Sequence, residues 1–384
     1  MLPISFFARV LTFGILLHLY VGIRLTSAAP AGSWVTWFAV VFLLVSLILI
    51  PLGMSARRIA RQPLSDRIAW AGLSAMGFFS SLLALTVLRD IVLIAANIFS
   101  WMTGNAQALP PLTAYSAVAV PVLALALSLL GLYYARRVAP VKTVDVPIAG
   151  LDDDLDGFTI VQVSDIHIGP TIKRGYVERI VASVNALEPD LIAVTGDLVD
   201  GSVSQLLSHT QPLRALSARH GAFFVTGNHE YYSGADPWIA EFRRLGLNVL
   251  MNEHVVIDHG AARAVVAGVT DYGGGHFDPA HESDPAKAID GAPDVPFRLL
   301  LAHQPRSAAA ASEAGFTLQL SGHTHGGQFL PWMFFVRLQQ PFVHGLAKLG
   351  DLWVYTSRGT GYWGPPLRLA APSEITRLRL VPGR

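Results

Sequence analysis

The stretch Leu318–Pro331, LQLSGHTHGGQFLP, sets two histidines one residue apart, straight after an apolar run and straight before two glycines. An apolar run of this length bounded by turn residues reads as a strand. His323 and His325 therefore leave the C-terminal end of a strand, where open α/β sheets place their binding sites. Four other runs end in the same manner. FTIVQVS passes into Asp165-Ile-His167, and LIAVT into Gly196-Asp197-Leu-Val-Asp200. AFFVT passes into Gly227-Asn228-His229-Glu230, and FRLLLA into His303. Each fragment alone is ordinary turn chemistry, and a lone histidine such as His303 is more often structural than ligating. Five strand ends in succession, all delivering carboxylate, imidazole or amide groups, are not explained by turns. The chain has no cysteine, so disulfides, zinc–thiolate sites and iron–sulfur clusters are excluded. Any metal must be held by nitrogen and oxygen.

Helical patterns separate these strands. Lys173–Leu187 lines up Val177, Ile180, Val181, Val184 and Leu187 on one face, and Val203–Ala218 reads as a second helix. AVVAGV supplies another strand, and DLWVYTS with EITRLRL is expected to add a pair near the end. The pattern defines an α/β domain over residues 157–384. The segment 139–156, with the acidic cluster Asp152, Asp153, Asp154 and Asp156, reads as a linker and solvated turn.

The first third is of another kind. The chain is 52% hydrophobic and 14% charged, with a mean hydropathy of +0.44, and the apolar excess lies before about residue 135. Four stretches approach or exceed the roughly 20 residues that cross a bilayer: Phe6–Leu25, Trp34–Met54, Ile68–Leu88 and Leu112–Tyr134. WFAVVFLLVSLILIPLG has no polar face at a helical period, which excludes a soluble bundle. Residues 1–138 are thus expected to form a four-span transmembrane region. A cleaved leader is the rival for the first stretch, but Arg9 is the one positive charge near its start and three more spans follow. Arg57, Arg58, Arg61 and Arg67 in the second connection, with Arg136, Arg137 and Lys142 after the fourth span, orient both termini to the cytoplasm. Arg24 dissents from that orientation. Arg89 and Asp90 are expected as a mutually paired couple where the third span reaches the far interface, with a functional intramembrane pair as the alternative. Pro121 is expected to kink the fourth span. A net charge of +1, without a basic stripe, excludes an electrostatic nucleic-acid binder.

Hydrolysis of a phosphate ester needs a nucleophile at neutral pH, neutralised phosphoryl oxygens and a proton for the leaving oxygen. Two divalent ions about 3.5–4 Å apart supply the first two, by acidifying a bridging water and holding the nonbridging oxygens. Such a pair requires one carboxylate able to bridge and several neutral ligands, and the strand ends hold that inventory. The order Asp-x-His, Gly-Asp-x-x-Asp, Gly-Asn-His-Glu, lone His and Gly-His-x-His resembles the calcineurin-like metallophosphoesterase superfamily. With Gly-His-Thr-His-Gly-Gly-Gln after membrane segments, it is similar to a bacterial membrane-associated subfamily. The resemblance covers roughly Gly157 to Arg384 and implies two packed β-sheets flanked by helices. It implies Asp165, His167 and His325 on a first metal, Asn228, His303 and His323 on a second, and Asp197 bridging. It implies His229 as the proton donor to the leaving group, oriented by Asp200, with Glu230 behind the ligands.

The expected activity is that of a membrane-anchored, dinuclear phosphohydrolase with manganese, iron or zinc, in a bacterial cytoplasmic membrane with its domain on the cytoplasmic side. It would cleave a phosphodiester, phosphomonoester or pyrophosphate by a metal-bridging hydroxide. A lipid-linked substrate is favoured over a soluble diester met by a merely tethered enzyme. A non-catalytic sensor or scaffold would lack a ligand or His229, and none is missing. Three segments carry weaker signals. His276 and His281 lie in a glycine-rich stretch that reads as a surface loop or a rim over the site. FLPWMFFVRLQQPF is too apolar for a free loop, and packing as core, touching the membrane and gripping an acyl chain stay open. Arg358 is a candidate phosphate contact.

Overall fold

The computed structural model describes residues 4–27, 34–56, 59 and 61–383. Arg57 and Arg58, and the 28–33 part of the first connection, lie outside the described residues. The chain divides into two compact units, one within residues 1–133 together with Gly364–Leu367, the other Tyr134–Trp363 together with Arg368–Arg384.

The first unit is built from helices α1 (Ile4–Thr26), α2 (Trp34–Ser55), α3 (Leu64–Thr103) and α4 (Leu109–Arg136), the last running on across the boundary. Among the described residues three helices are long and apolar enough to cross a membrane: Thr36–Ser55, Leu64–Thr103 and Leu109–Arg136. Leu11–Thr26 is a shorter apolar helix. The protein is a membrane protein. α2 and α3 meet backbone to backbone, because a Cβ on Gly53 would stand 2.7 Å from Gly72 Cα. Small residues are what permits such an approach where apolar lipid offers no hydrophobic drive between helices.

α3 departs from the expected third span. It does not stop at Leu88 but continues to Thr103, 40 residues in all, or about 60 Å, twice the hydrocarbon thickness. The resumed apolar run IVLIAANIF supplies the reason, since nothing in it breaks a helix. Arg89 and Asp90 therefore sit inside a helix, and they are not chiefly each other's partners. Asp90 accepts from Arg24 Nε at 2.8 Å and Nη2 at 2.8 Å, and from Tyr20 at 2.8 Å. Arg89 Nη1 is 3.5 Å from Asp90. Its other nitrogens donate to Ser116 Oγ at 2.9 Å and to the Thr113 carbonyl at 3.0 Å. The dissenting Arg24 is thereby the counter-ion of a carboxylate 66 residues away. Pro121 lies within α4, which runs on past it.

The second unit contains two six-stranded sheets. The first has the order β1 (Val141–Ala149), β12 (Ile375–Gly383), β2 (Thr159–Val163), β3 (Leu191–Val194), β4 (Ala222–Phe224) and β5 (Asn248–Val249). The second runs β10 (Gly345–Leu349), β11 (Leu352–Thr356), β9 (Leu318–Ser321), β8 (Arg298–Leu301), β7 (Ala262–Gly268) and β6 (Glu253–His259). Helices α5 (Arg174–Asn185), α6 (Val203–Thr210), α7 (Asn228–Ser233) and α8 (Ala235–Arg244) follow strands of the first sheet. Helices α9 (Pro285–Ile289) and α10 (Ala308–Glu313) follow strands of the second.

Alternation along each strand sorts the layers. Ile160, Leu191, Ala193 and Phe223 of the first sheet pack with Leu299, Leu301, Leu318 and Leu320 of the second to form the core between sheets. Their neighbours Val161, Val163, Ile192 and Phe224 face the other way, onto Tyr176, Val177, Ile180, Leu206, Trp238 and Phe242 of α5, α6 and α8. Leu300, Ala302 and Val354 do the same toward Ala308 and Ala311 of α10. Strands buried on both faces explain why the sequence shows them as unbroken apolar runs.

Two expectations are corrected. DLWVYTS and EITRLRL do not pair. β11 lies parallel to β9 in the second sheet, whereas β12 enters the first between β1 and β2. The segment 139–156, read as a linker, contains β1, which pairs with β12 over its whole length. Asp145 of β1 accepts from Arg379 of β12 at 2.9 and 2.8 Å.

Candidate metal centre

The loops after β2, β3, β4, β8 and β9 all emerge at one end of the sheet pair, and backbone bonds hold them in register. Asp165 N donates to the Gly196 carbonyl at 3.0 Å and His167 N to that of Asp197 at 3.1 Å. Gly322 N donates to the His303 carbonyl at 2.9 Å. Asp165, His167, Asp197, His323 and His325 all have positive φ, between 50° and 68°. Non-glycine residues in that region are uncommon and concentrate where a site fixes them.

The side chains converge into three overlapping groups, each able to hold an ion: Asp165, His167 and His325; His167, Asp197 and His229; Asp197, His303 and His323. His325 Nε2 stands 3.0 Å from His167 Nε2 and 3.5 Å from Asp165 Oδ1. His323 Nδ1 stands 3.2 Å from His303 Nε2. Asp197 Oδ2 is 3.2 Å from His303 Nε2 and 3.9 Å from His167 Nε2, so one carboxylate links the two sets. Asn228 Oδ1 is buried without a hydrogen-bond partner, a position that is costly unless something positive occupies the cavity before it.

Two of the imidazoles are held in the neutral form a cation needs. Burial, aided by the neighbouring His303, drives His323 down to about 3. Burial and the Arg368 guanidinium hold His325 well below the ordinary range. Both rings are therefore neutral, as ligands must be. His303 Nδ1 donates to the Thr195 carbonyl at 2.7 Å, which leaves Nε2 directed at Asp197.

His229 stands apart from that pattern. Burial pulls its pKa down, but the charges of Asp197 and Asp200 outweigh it and raise the ring to about 9. Its Nδ1 is hydrogen-bonded to Asp200 Oδ1, and its backbone N donates to Asp197 Oδ1 at 2.8 Å. Asp200 also faces His167 Nδ1 at 3.3 Å. Despite burial, the two histidines hold the Asp200 carboxyl below the usual carboxylate range.

Glu230 fastens two of the loops. Its carboxylate accepts from Asp197 N at 2.9 Å, Leu198 N at 2.8 Å and Gly227 N at 2.7 Å. Replacing Glu230 with glutamine sets an amide group against N–H donors, at a cost of about 1–3 kcal/mol for each one left unpaired. Thermal unfolding of Glu230→Gln should show a clearly lowered melting temperature and a lower metal content. An unchanged melting temperature would remove this anchoring role.

Sequence reasoning missed two residues. Arg368, 1% exposed, donates to the carbonyls of Gly361 at 3.0 Å and His325 at 2.9 Å and reaches His325 Nδ1 at 3.0 Å. No local pattern marks it. Asp271 is buried and accepts from Gln304 Nε2 at 3.0 Å. It follows β7 just as the ligand residues follow their strands, a signal the sequence did hold. Among the weaker candidates, His276 is bonded to Gly273 and His281 faces Asp236 at 3.9 Å, so neither joins the metal groups. The Arg358 guanidinium reaches His344 at 3.4 Å.

The family model described as calcineurin-like phosphoesterase matches residues 158–327. The chain is 37% identical over 262 residues to the "Transmembrane protein with metallophosphoesterase domain" of Danio rerio, covering 66% of this chain and 60% of that one. It is 42% identical over 267 residues to the Bos taurus protein of the same description, with the same coverage. An uncharacterized metallophosphoesterase of Aquifex aeolicus is 34% identical over 218 residues, with 56% of this chain and 82% of that one covered. The chain spans about 60% of the length of the two vertebrate relatives.

Fold, site and similarity together define the class: two packed sheets with clusters of histidine and aspartate able to hold metal ions at their strand ends. The chain belongs to the calcineurin-like metallophosphoesterase family. With its long apolar helices ahead of that domain, it is a membrane-associated member.

Proposed function

We propose that the protein hydrolyses a phosphoric ester or anhydride at a dinuclear centre, on the cytoplasmic face of a bacterial membrane. The observation that carries the proposal is Asp197, set between the His303–His323 pair and the His167–His325 pair. Asp165, His167 and His325 would hold one ion, Asn228, His303 and His323 the other, and Asp197 both. Two bound divalent ions supply charge neutralisation of the phosphoryl group and a water acidified to act near neutral pH. Manganese, iron and zinc all suit such nitrogen and oxygen donors.

The chain's own groups do the rest. His229, charged at neutral pH, gives a proton from Nε2 to the departing oxygen, and Asp200 on Nδ1 holds the ring in place and stabilises its charged form. Trp363 and Tyr232 stand edge-on to His229, with centroids at 5.8 and 5.3 Å, and narrow the approach of water. Both are about half exposed, which supports an amphiphilic substrate, a lipid-linked phosphodiester or pyrophosphate, over a soluble one.

The test uses the full chain in detergent, first analysed for metal, then given a chromogenic phosphodiester beside dispersed lipid-linked pyrophosphates. Chelation should abolish hydrolysis, and added manganese should restore it. Full metal occupancy without turnover of any phosphoester would make the protein a sensor. Turnover confined to soluble esters would remove the lipid reading.

A further inference from the structure

The chain that leaves the histidine loop turns outward. Gly327 has φ +80°, and the Met333 backbone packs where its Cβ would stand. Beyond that contact Leu330, Trp332, Phe334, Phe335 and Leu338 are 38, 48, 67, 53 and 82% exposed. Packing as core therefore applies to the ends of the apolar stretch, Phe329 and Phe342, and is excluded for Leu330–Leu338. A contiguous apolar patch on a folded surface marks an interaction site, and this one is joined to the metal centre. The Gln328 side chain accepts from Trp363 N at 2.9 Å and donates to the Trp363 carbonyl at 2.8 Å. Trp363 in turn stands against His229.

Charge and composition select the partner. No acidic residue lies between Glu313 and Asp351, while Arg337 and Lys348 are exposed cations. Tryptophan, phenylalanine and leucine above basic side chains fit the boundary between acyl chains and anionic headgroups. The same chain carries helices long and apolar enough to cross a membrane.

We infer that Leu330–Leu338 is an interfacial anchor that sinks into a lipid surface beside the mouth of the metal centre. Trp332, Phe334, Phe335 and Leu338 enter the acyl boundary, and Arg337 meets lipid phosphates. A phosphoester held at the headgroup level then reaches the metal ligands without leaving the bilayer. The inference deepens the lipid-linked reading of the substrate, but its test needs no turnover.

Because the chain has no cysteine, single-cysteine variants of the full protein label uniquely. Phe334→Cys and Leu338→Cys carry nitroxides on the segment, and Asp258→Cys, exposed on β6, serves as the aqueous control. All three are reconstituted in nanodiscs containing anionic lipid. Power saturation with oxygen and a water-soluble nickel chelate should place the two segment labels about 5–10 Å below the phosphates, with the control in water. Segment labels as open to the nickel chelate as the control would overturn the inference. Labels shielded from both agents, with spin–spin coupling between copies, would overturn it in favour of a protein interface. Absence of hydrolysis in the same preparation bears on the metal centre alone.

Discussion

Asp197→Ala is expected to lose metal and turnover together. Asp197 faces an imidazole of each pair, at 3.2 Å from His303 and 3.9 Å from His167. Its charge also carries the electrostatics of the pocket. It raises His229 against the pull of burial, and it does the same for His303. Alanine removes the carboxylate that His303 faces and leaves His229 with Asp200 alone, so the site should hold less than its full complement of ions. Hydrolysis should fall to the uncatalysed background. Elemental analysis beside the rate assay checks both halves. Asp197→Asn, which keeps shape and one acceptor oxygen, separates charge from packing. Full metal content with a near-wild-type rate would end the bridging assignment.

His229→Ala is the second large effect, and it should differ in kind. His229 does not complete either imidazole pair; it faces Asp200 on one side and the aromatic rim on the other. Metal content should therefore stay at the wild-type level while turnover drops by on the order of 10²–10⁴, the usual worth of a positioned acid. The loss should be greatest for poor leaving groups, because a good one departs without a proton. A chromogenic diester should consequently understate the defect relative to an alkyl ester. If the variant came out depleted of both ions, His229 would be a ligand and the proton-donor role would be wrong. Asp200→Asn should show a smaller loss with the same leaving-group dependence, since the ring stays but its charged form is less stable.

The candidate ligand set was legible because each of its members lies next to the strand that positions it. A buried strand shows as an apolar run, and the first polar residues after it are the ones the sheet delivers to its edge. Asp165, Asp197, Asn228, His303 and His323 could all be read that way. What depends on distant pairing could not. Arg368 reaches His325 across 43 residues, and Arg24 reaches Asp90 across 66, with no local periodicity marking either. β1 was hidden for a different reason. It is an edge strand with its outer residues half exposed, so Lys142, Asp145 and Pro147 interrupt the apolar pattern that revealed the buried strands. The same limit misassigned β11 and β12, whose strand character shows in the sequence while their partners do not.

The position of β12 has a consequence for biogenesis. Ile375–Gly383 lies between β1, made before it by more than two hundred residues, and β2, which delivers Asp165 and His167. Until that strand has been synthesised, the first sheet has a gap with two raw edges, each a template for aberrant pairing. A stop codon anywhere between the histidine loop and Ile375 would leave every candidate ligand encoded while β2, which delivers Asp165 and His167, lost its antiparallel partner. Such a product is a target for proteolysis at the membrane, so the first sheet closes only after translation of a stretch that contains none of the candidate ligands.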